Sequence, residues 1–238
     1  MAGERLARIL LQFPSLGDGE PGAARLCEAC ARVSMMSGAG IMLMSGEMPV
    51  GSVCTTNDVS ALIEELQFML GEGPCVDAHH HARPVLEPDL AEPTTPRWLA
   101  FTPPALAAGA RAVFGFPLQV GSVRLGALNL YRDRPGPLTD DQHADALVLA
   151  SVAAGAVLAM QAPARPGQLA DELAAGFRFV VHQAAGMVAA QLDVTVAEAL
   201  IRLRARAFAT DRLLTDLAED VVARRLHFDD RSAGDPDH

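Results

Sequence analysis

The sequence predicts two successive domains, an α+β domain followed by an all-α domain. Two strand-like apolar runs, 112–120 and 123–131, meet at Gly121-Ser122, and a two-residue connection that begins with glycine is typical of a β-hairpin. The Pro-Ala-Arg-Pro-Gly run at 163–167 breaks a helical pattern and marks a domain boundary. Beyond that run, the apolar residues follow helical spacing alone. The 238 residues are enough for two cores of ordinary size.

The first domain has local patterns of both kinds. Asn57 or Asp58 can cap a helix whose apolar face is Leu62, Leu66, Met69 and Leu70, and the Gly71–Pro74 run ends it. A proline-rich stretch, 84–104, separates this helix from the hairpin. The predicted elements are a helix at 21–36, strands at 39–45 and 50–55, a helix from 58 to 70, strands at 112–120 and 123–131, and a helix at 139–160.

The second domain is predicted to consist of three helices. Residues 168–192 carry a seam of alternating four- and three-residue spacing, formed by Leu173, Phe177, Val180, Ala184 and Met187. Thr195 and Glu198 form a capping box that opens a helix with the stripe Ala199, Leu203 and Ala207. Thr210 or Asp211 caps a last helix from Leu214 to Val222. The predicted boundaries are 1–162 for the first domain, 163–167 for the linker, 168–228 for the second domain and 229–238 for a disordered acidic tail.

The amino-acid composition excludes several kinds of functional site that require lysine. All 19 cationic side chains are arginines, which excludes a Schiff-base lysine, a P-loop lysine and a kinase β3 lysine. The net charge of −10 indicates no general basic surface for nucleic acid. Residues 177–228 carry seven arginines against six acids, so an anionic partner has to be met by locally placed arginines.

The cysteines and the N-terminus predict a cytoplasmic protein. The four cysteines fit no dense disulfide framework, and we interpret the Cys27-x-x-Cys30 pair as buried thiols on one helix face. The charged N-terminal residues predict no signal peptide. Residues 146–164 are free of charge but rich in alanine and glycine, so we expect a buried or self-associating helix and no membrane partner.

No residue pattern predicts catalysis or a bound metal. Cys75 and His79 would share a helix face, but the three consecutive histidines 79–81 point in three directions and no second ligand pair accompanies them. Cys75 lies near Glu72 and Asp77, whereas a catalytic thiol needs an electropositive setting. We therefore expect no enzyme activity, no metal and no cofactor.

Four arginines of the second domain are candidates for binding phosphate. Arg202, Arg204 and Arg206 alternate along one predicted helix, and Arg212 opens the next. Two interpretations remain open. The arginines form a solvated face with intrahelical ion pairs such as Glu198–Arg202, or they form a small patch for phosphate groups.

The C-terminal residues 181–222 resemble the ANTAR domain, a small helical module that binds paired RNA hairpins and acts by transcription antitermination. The resemblance is carried by Gln183-Ala184-Ala185-Gly186, by Val196-Ala197-Glu198-Ala199 with Leu203-Arg204-x-x-Ala207, and by Leu214-x-Asp216-Leu217-Ala218. The upstream residues resemble a GAF sensor domain, through Leu70–Cys75 with Asp77 and through the run Leu125–Tyr131. Together, residues 26–226 look like the GAF-ANTAR regulators of high-GC bacteria.

This resemblance implies a GAF-like antiparallel sheet flanked by helices, followed by an all-α three-helix ANTAR-like domain. It also implies RNA-binding positions at Gly186, Arg204 and Arg212, beside which Arg202 and Arg206 are candidates. Three positions depart from the pattern, because Ala185, Leu213 and Thr215 stand where basic residues are common. Loss of three cations weakens phosphate contacts.

The expected function is that of a cytoplasmic, signal-responsive RNA-binding regulator. The resemblance implies a sensor pocket for an unidentified small-molecule ligand, and apolar lining candidates are Met44, Trp98, Phe114, Phe116 and Leu118. The seam and the helix at 140–160 would fit a homodimer. The first rival interpretation is a degenerate helical module that dimerises or binds a protein partner without RNA. Two other rivals are a sensor-fold enzyme that uses Cys75 and a DNA-binding regulator, although no helix-turn-helix spacing with a basic recognition helix supports the latter.

Overall fold

A computed structural model of the chain describes residues 2–12, 22–93, 95–161, 179–210 and 212–228. The chain divides into two compact units, Met1–Phe177 and Arg178–His238. The predicted linker at 163–167, the tail at 229–238 and the seam residues Leu173 and Phe177 lie outside the described residues.

The first unit is an α+β fold built on one sheet. Its described elements are α1 (Ala2–Leu10), α2 (Gly22–Ser34), β1 (Gly38–Ser45), β2 (Met48–Thr55), α3 (Asp58–Leu70), α4 (Pro74–His81), β3 (Val85–Glu87), α5 (Thr102–Ala107), β4 (Ala112–Val120), β5 (Val123–Arg132) and α6 (Asp140–Gln161). The five strands are antiparallel in every pair and lie in the order β2-β1-β5-β4-β3. This confirms the predicted antiparallel sheet flanked by helices. The strand β3 and the helix α5 were not predicted, because the prolines at 84–104 obscure both.

The helix α3 begins and ends where the sequence predicts, but its buried face is different. Asn57 caps it through a reciprocal box with Ser60, and Gly71 ends it in the left-handed conformation, with φ of 66°. The predicted face residues Leu62, Met69 and Leu70 are only half-buried. Glu64 and Gln67 are buried instead. Apolar spacing cannot predict buried polar residues.

One face of the sheet packs on α2 and α6. Side chains alternate across a strand, and the alternate residues Ala39, Ile41 and Leu43 of β1 join the core that contains these helices. The same core contains Ala112, Phe114, Phe116 and Leu118 of β4, with Leu128 and Leu130 of β5. This apolar layer is the main core of the first unit.

The prediction of a buried thiol at Cys27 is wrong, because Cys27 and Cys54 form a disulfide. The helix α2 packs on β1 and β2, and this packing brings Cys27 against Cys54, 27 residues farther along the chain. Cys30 and Cys75 are free and buried. Burial raises the pKa of the Cys30 thiol to about 12, so this thiol is protonated at neutral pH.

The helix α6 is predicted as a buried helix, and one of its faces is buried. Among the described helices it alone is long and apolar enough by itself to cross a membrane, with a mean hydropathy of 1.7, and 39% of that apolar stretch is buried inside the fold. Its buried residues, Ala146, Leu149, Ala153 and Val157, lie in the core with the sheet. Asp145 near its start binds Arg5 and Arg8 of α1.

The described part of the second unit contains three helices, α7 (Phe179–Leu192), α8 (Val196–Ala209) and α9 (Leu214–Val222). The capping box of Thr195 and Glu198 is confirmed, and the predicted stripe Ala199, Leu203 and Ala207 is buried. The predicted cap at Thr210 is wrong, because Thr210 ends α8 and Leu213 precedes α9 without a side-chain cap. The hydroxyl of Thr210 donates to the carbonyl of Arg206, 2.7 Å away, instead.

Candidate functional site

The second face of the sheet is covered by α3 and α4. Gly40 of β1 lies under α3, since a Cβ built on it would stand 2.6 Å from Oε1 of Glu64. Gly115 of β4 lies under α4, since a Cβ built on it would clash with the carbonyl of Pro74. The two glycines therefore let both helices lie directly on the sheet.

Asn129 lies between these glycines at the centre of the sheet. It pairs in register with Gly40 on one side and with Gly115 on the other, so its side chain rises beneath the junction of α3 and α4. The residue is 1% exposed. Neither its Nδ2 nor its Oδ1 has a hydrogen-bond partner among the described residues. An unpaired buried polar group costs about 1–3 kcal/mol, so this amide is an unfavourable contribution to the stability of the fold.

Two further polar atoms are unpaired on this face. Gln67 of α3 accepts a hydrogen bond from the backbone N–H of Cys75 at 2.7 Å, but its Nε2 has no partner in the described part of the chain. His79 of α4 donates from Nε2 to the carbonyl of Gly46 at 2.8 Å. The buried Nδ1 of His79 has no partner among the residues described. The α3–α4 face thus has unpaired hydrogen-bonding groups on both helices and on the sheet.

Cys75 on this face is not an activated nucleophile. The residue is fully buried. Burial raises the pKa of its thiol well above the usual range, the nearby Glu64 raises it further, and the hydrogen bond with Gln67 lowers it only in part. A reactive cysteine needs the opposite shift.

The acids of the 70–77 run hold the segment that follows β3. Oε1 of Glu72 accepts hydrogen bonds from the backbone N–H groups of Ala100 and Phe101, at 2.8 and 2.9 Å. Oδ2 of Asp77 accepts one from Nε1 of Trp98 at 3.0 Å. These charge-assisted bonds fasten residues 98–101 to the segment that follows α3 and to the first turn of α4. The run carries part of the resemblance to GAF domains, but the sequence does not predict that its acids bind residues 98–101.

The predicted sensor-pocket residues lie on two different faces of the sheet. Phe114, Phe116 and Leu118 are fully buried in the core with α2 and α6. Trp98 is bound to α4 through Asp77, and Met44 shares the strand face of Gly40. The structure therefore brings only Met44 and Trp98 to the α3–α4 side.

The sequence patterns do not predict the polar residues of this face, Asn129, Gln67 and Glu64. One signal was available for Asn129, which is the single amide in the apolar run Ala127–Tyr131.

The three histidines of α4 have separate contacts. His80 lies 2.9 Å from Glu47, and Nδ1 of His81 lies 2.8 Å from the carbonyl of Asp77.

The five predicted RNA-binding residues of the second unit differ in exposure. Gly186 and Arg202 are exposed. Arg206 is half-buried and lies over the ring of Phe228 at 5.0 Å. Arg204 is the most enclosed of the arginines, because its Nε and Nη2 are buried, and desolvation lowers its pKa to about 10. It still carries its charge at neutral pH.

Arg212 is engaged by an acid of its own unit. Its Nη2 lies 2.6 Å from Asp220, which also binds Arg225 at 2.7 Å. The hydrogen bonds from Arg212, and then Arg225, lower the pKa of Asp220. At the departures from the family pattern, Ala185 is buried, Leu213 is exposed and Thr215 is half-buried.

Comparisons with known proteins identify the first unit. The family model for the GAF domain matches residues 23–161. The GAF domain of a phosphoenolpyruvate-protein phosphotransferase from Coxiella burnetii is 13% identical, with a TM-score of 0.50 over 68% of this chain and 95% of that one. The corresponding Acinetobacter domain is 13% identical, with a TM-score of 0.47 over 69% and 96%. A type II free methionine-R-sulfoxide reductase from Thermoplasma acidophilum is 16% identical, with a TM-score of 0.42 over 56% and 89%.

A comparison with curated proteins gave no match. The solved structures are so distant in sequence that they support the fold alone. The family model covers more than half of the chain, and it spans all five strands of the sheet with α2 through α6. The chain therefore belongs to the GAF domain family.

Proposed function

We propose that the chain is a signal-responsive regulator in which the GAF domain senses a small molecule and the C-terminal helices bind paired RNA hairpins, acting by transcription antitermination. The proposal of RNA binding rests on which residues of the second unit are buried and which are exposed. The apolar motif residues Ala184, Ala199, Leu203, Ala207, Leu214, Leu217 and Ala218 are buried, whereas Arg202 and Arg212 are exposed. This sorting is what a domain resembling ANTAR needs to present cations to phosphates.

Arg204 is the residue on which RNA binding is proposed to depend most. Its guanidinium is largely dehydrated in the free protein, so the part of it that meets a phosphate loses little hydration on binding. Arg202 lies on the same helix and is exposed. Each of these cations that contacts RNA adds to the salt dependence of binding.

The test is hairpin binding by the full chain and by variants with one arginine removed. We expect Arg204→Ala and Arg202→Ala each to weaken binding by about tenfold. Each is also expected to reduce the slope of log affinity against log salt by about 0.7–0.9. The measurement is fluorescence anisotropy with a labelled paired hairpin.

The matched control is Arg134→Ala, which removes one exposed positive charge from the GAF domain and is expected to leave binding unchanged. Circular dichroism of each variant separates loss of contact from loss of folding. Equal affinities for the wild type, Arg202→Ala and Arg204→Ala would remove these residues from the interface.

A second candidate function is binding of a protein partner without RNA. It is favoured by exposed apolar side chains in the second unit, where Ile201 is 57% and Phe208 67% exposed, together with Val196 and Leu213. The uncharged Ala185, Leu213 and Thr215 support it as well. Binding of the paired hairpin would favour the RNA-binding function, and its absence would favour the binding of a protein partner.

We further propose that the protein is a cytoplasmic homodimer and that it has no catalytic role. Leu173 and Val180 lie on the predicted seam, and Val180 is half-buried at the start of α7. We expect Leu173→Glu combined with Val180→Glu to halve the molar mass, because buried like charges oppose association. Light scattering after size-exclusion chromatography measures this mass. A dimer that persists in the double variant would show that the seam is not the interface.

A further inference from the structure

The Cys27–Cys54 disulfide attaches a helix of the GAF domain to the edge of its sheet. Cys27 lies in α2 and Cys54 lies in β2, and the other two cysteines of the chain, Cys30 and Cys75, are free. The strand β2 is an outer strand of the sheet and has β1 as its single neighbour. The oxidation state of this bridge therefore determines how firmly α2 is attached to the edge strand.

A third thiol lies on the same helix but does not exchange with the bridge. Cys30 follows Cys27 by about one turn of α2, and both belong to the apolar core that contains Cys54. A thiol has to lose its proton before it can attack a disulfide. Burial raises the pKa of the Cys30 thiol to about 12, so Cys30 stays protonated at neutral pH. The bridge is therefore left to a thiol from outside the protein.

The exposure of the two bridged cysteines decides where such a thiol attacks. Cys27 is fully buried, whereas Cys54 is 9% exposed on the edge strand. A glutathione thiolate therefore attacks Sγ of Cys54 and forms a mixed disulfide there, and Cys27 leaves as a thiolate that takes up a proton. A second glutathione thiolate attacks the glutathione sulfur of the mixed disulfide and releases Cys54, which is protonated in turn. The bridge gains two electrons and two protons, and the two glutathione molecules become their disulfide.

The helix α2 is in contact with α6 and can pass the change to it. Nε2 of Gln142 in α6 donates a hydrogen bond to the carbonyl of Ser34, the last residue of α2, at 3.3 Å. The two helices also share the apolar core, and α6 is the last described helix of the GAF domain before the second unit. Without the bridge, α2 keeps its apolar contacts but loses its covalent attachment to β2. Reduction therefore loosens α2 and its contact with α6 and leaves the domain folded.

The compartment favours a bridge that opens and closes. Disulfides are uncommon in a reducing cytoplasm, and those that occur there are usually transient and respond to redox conditions. We propose that the Cys27–Cys54 bridge is a reversible redox switch, through which the GAF domain responds to the ratio of reduced to oxidised glutathione. This inference rests on the proposed cytoplasmic regulator and gives it a second signal besides a small-molecule ligand.

The first test is a redox titration of the full chain in glutathione buffers that span the range of the cytoplasm. Free thiols are alkylated in denaturant and counted by mass spectrometry. We expect the count to rise from two to four over this range and to return to two when the buffer is made oxidising again. A bridge that stays closed in the most reducing of these buffers, or one that does not form again, would overturn the proposal.

Two cysteine variants test the point of attack with oxidised glutathione. Cys27→Ser leaves the partly accessible Cys54 as a thiol, and we expect a glutathione adduct on it. Cys54→Ser leaves the fully buried Cys27, and we expect its adduct to form more slowly by at least about tenfold. Equal rates of adduct formation would contradict attack at Cys54.

Hydrogen exchange of the full chain tests whether the bridge controls α2. Reduction is expected to speed amide exchange in α2 and at the start of α6 by at least about tenfold, while α3 and α4 keep their rates. The control Cys30→Ala keeps the bridge and should respond as the wild type does, whereas Cys54→Ser should exchange fast with or without reductant. Equal exchange of α2 in both states would overturn the proposal. These measurements use no RNA, so failure of hairpin binding would count against the proposed function alone.

Discussion

Alanine at position 115 is expected to destabilise the GAF domain by at least about 3 kcal/mol. A Cβ on Gly115 would clash with the carbonyl oxygen and carbon of Pro74, and it would also crowd the Cβ of Ala78. Because these obstacles include backbone atoms at the start of α4, no side-chain rotation relieves the overlap. The helix would have to move off the sheet. Urea denaturation followed by circular dichroism measures the change.

Two other glycines provide matched comparisons for this variant. Gly155 of α6 has no atom within 4 Å of the added Cβ, so Gly155→Ala should be neutral or should stabilise the helix by up to about 1 kcal/mol. Gly40→Ala meets the flexible side chain of Glu64, and its cost should fall between the two. A Gly115→Ala protein within about 1 kcal/mol of the wild type would contradict the described contact between α4 and β4.

Reduction of the Cys27–Cys54 disulfide is expected to cost about 3 kcal/mol of stability. The bridge closes a loop with a sequence separation of 27, and its loss increases the conformational entropy of the unfolded chain. The measurement is the urea midpoint with and without a reductant. A thiol titration in denaturant should find two free thiols in the oxidised protein, Cys30 and Cys75.

The control for the disulfide is Cys30→Ala, which removes a buried free thiol on the same helix. This variant should keep its dependence on the reductant, whereas Cys54→Ala should lose it. Four titratable thiols in protein prepared without a reductant would show that the bridge does not form. The result also bears on location, because disulfides are uncommon in a reducing cytoplasm.

The sequence predicts the elements of this fold better than it predicts the site. The hairpin at Gly121-Ser122, the cap at Asn57 and the capping box at Thr195 depend on local chemistry and are confirmed. The Cys27–Cys54 bridge and the buried Glu64 depend on contacts between elements distant in sequence. No pattern along the chain contains that information.

The sensor-pocket candidates lie on two faces of the sheet, and the sequence does not predict this because it depends on contacts between elements distant in sequence. Phe114, Phe116 and Leu118 alternate along β4 and therefore share one face. Period-two alternation predicts that they lie together, but it does not predict which helices cover them. The unpaired amide of Asn129 becomes evident only when the neighbours Gly40 and Gly115 are known.

The proposed regulation through RNA depends on whether the chain binds a paired hairpin. The affinity of the full wild-type chain for a paired-hairpin RNA is measured at two salt concentrations, beside an unpaired RNA of the same composition. We expect preference for the paired hairpin and an affinity that falls as salt rises, because arginines neutralise phosphates. Absence of hairpin binding at low salt, by a protein that circular dichroism shows to be folded, would contradict RNA regulation and favour a protein partner.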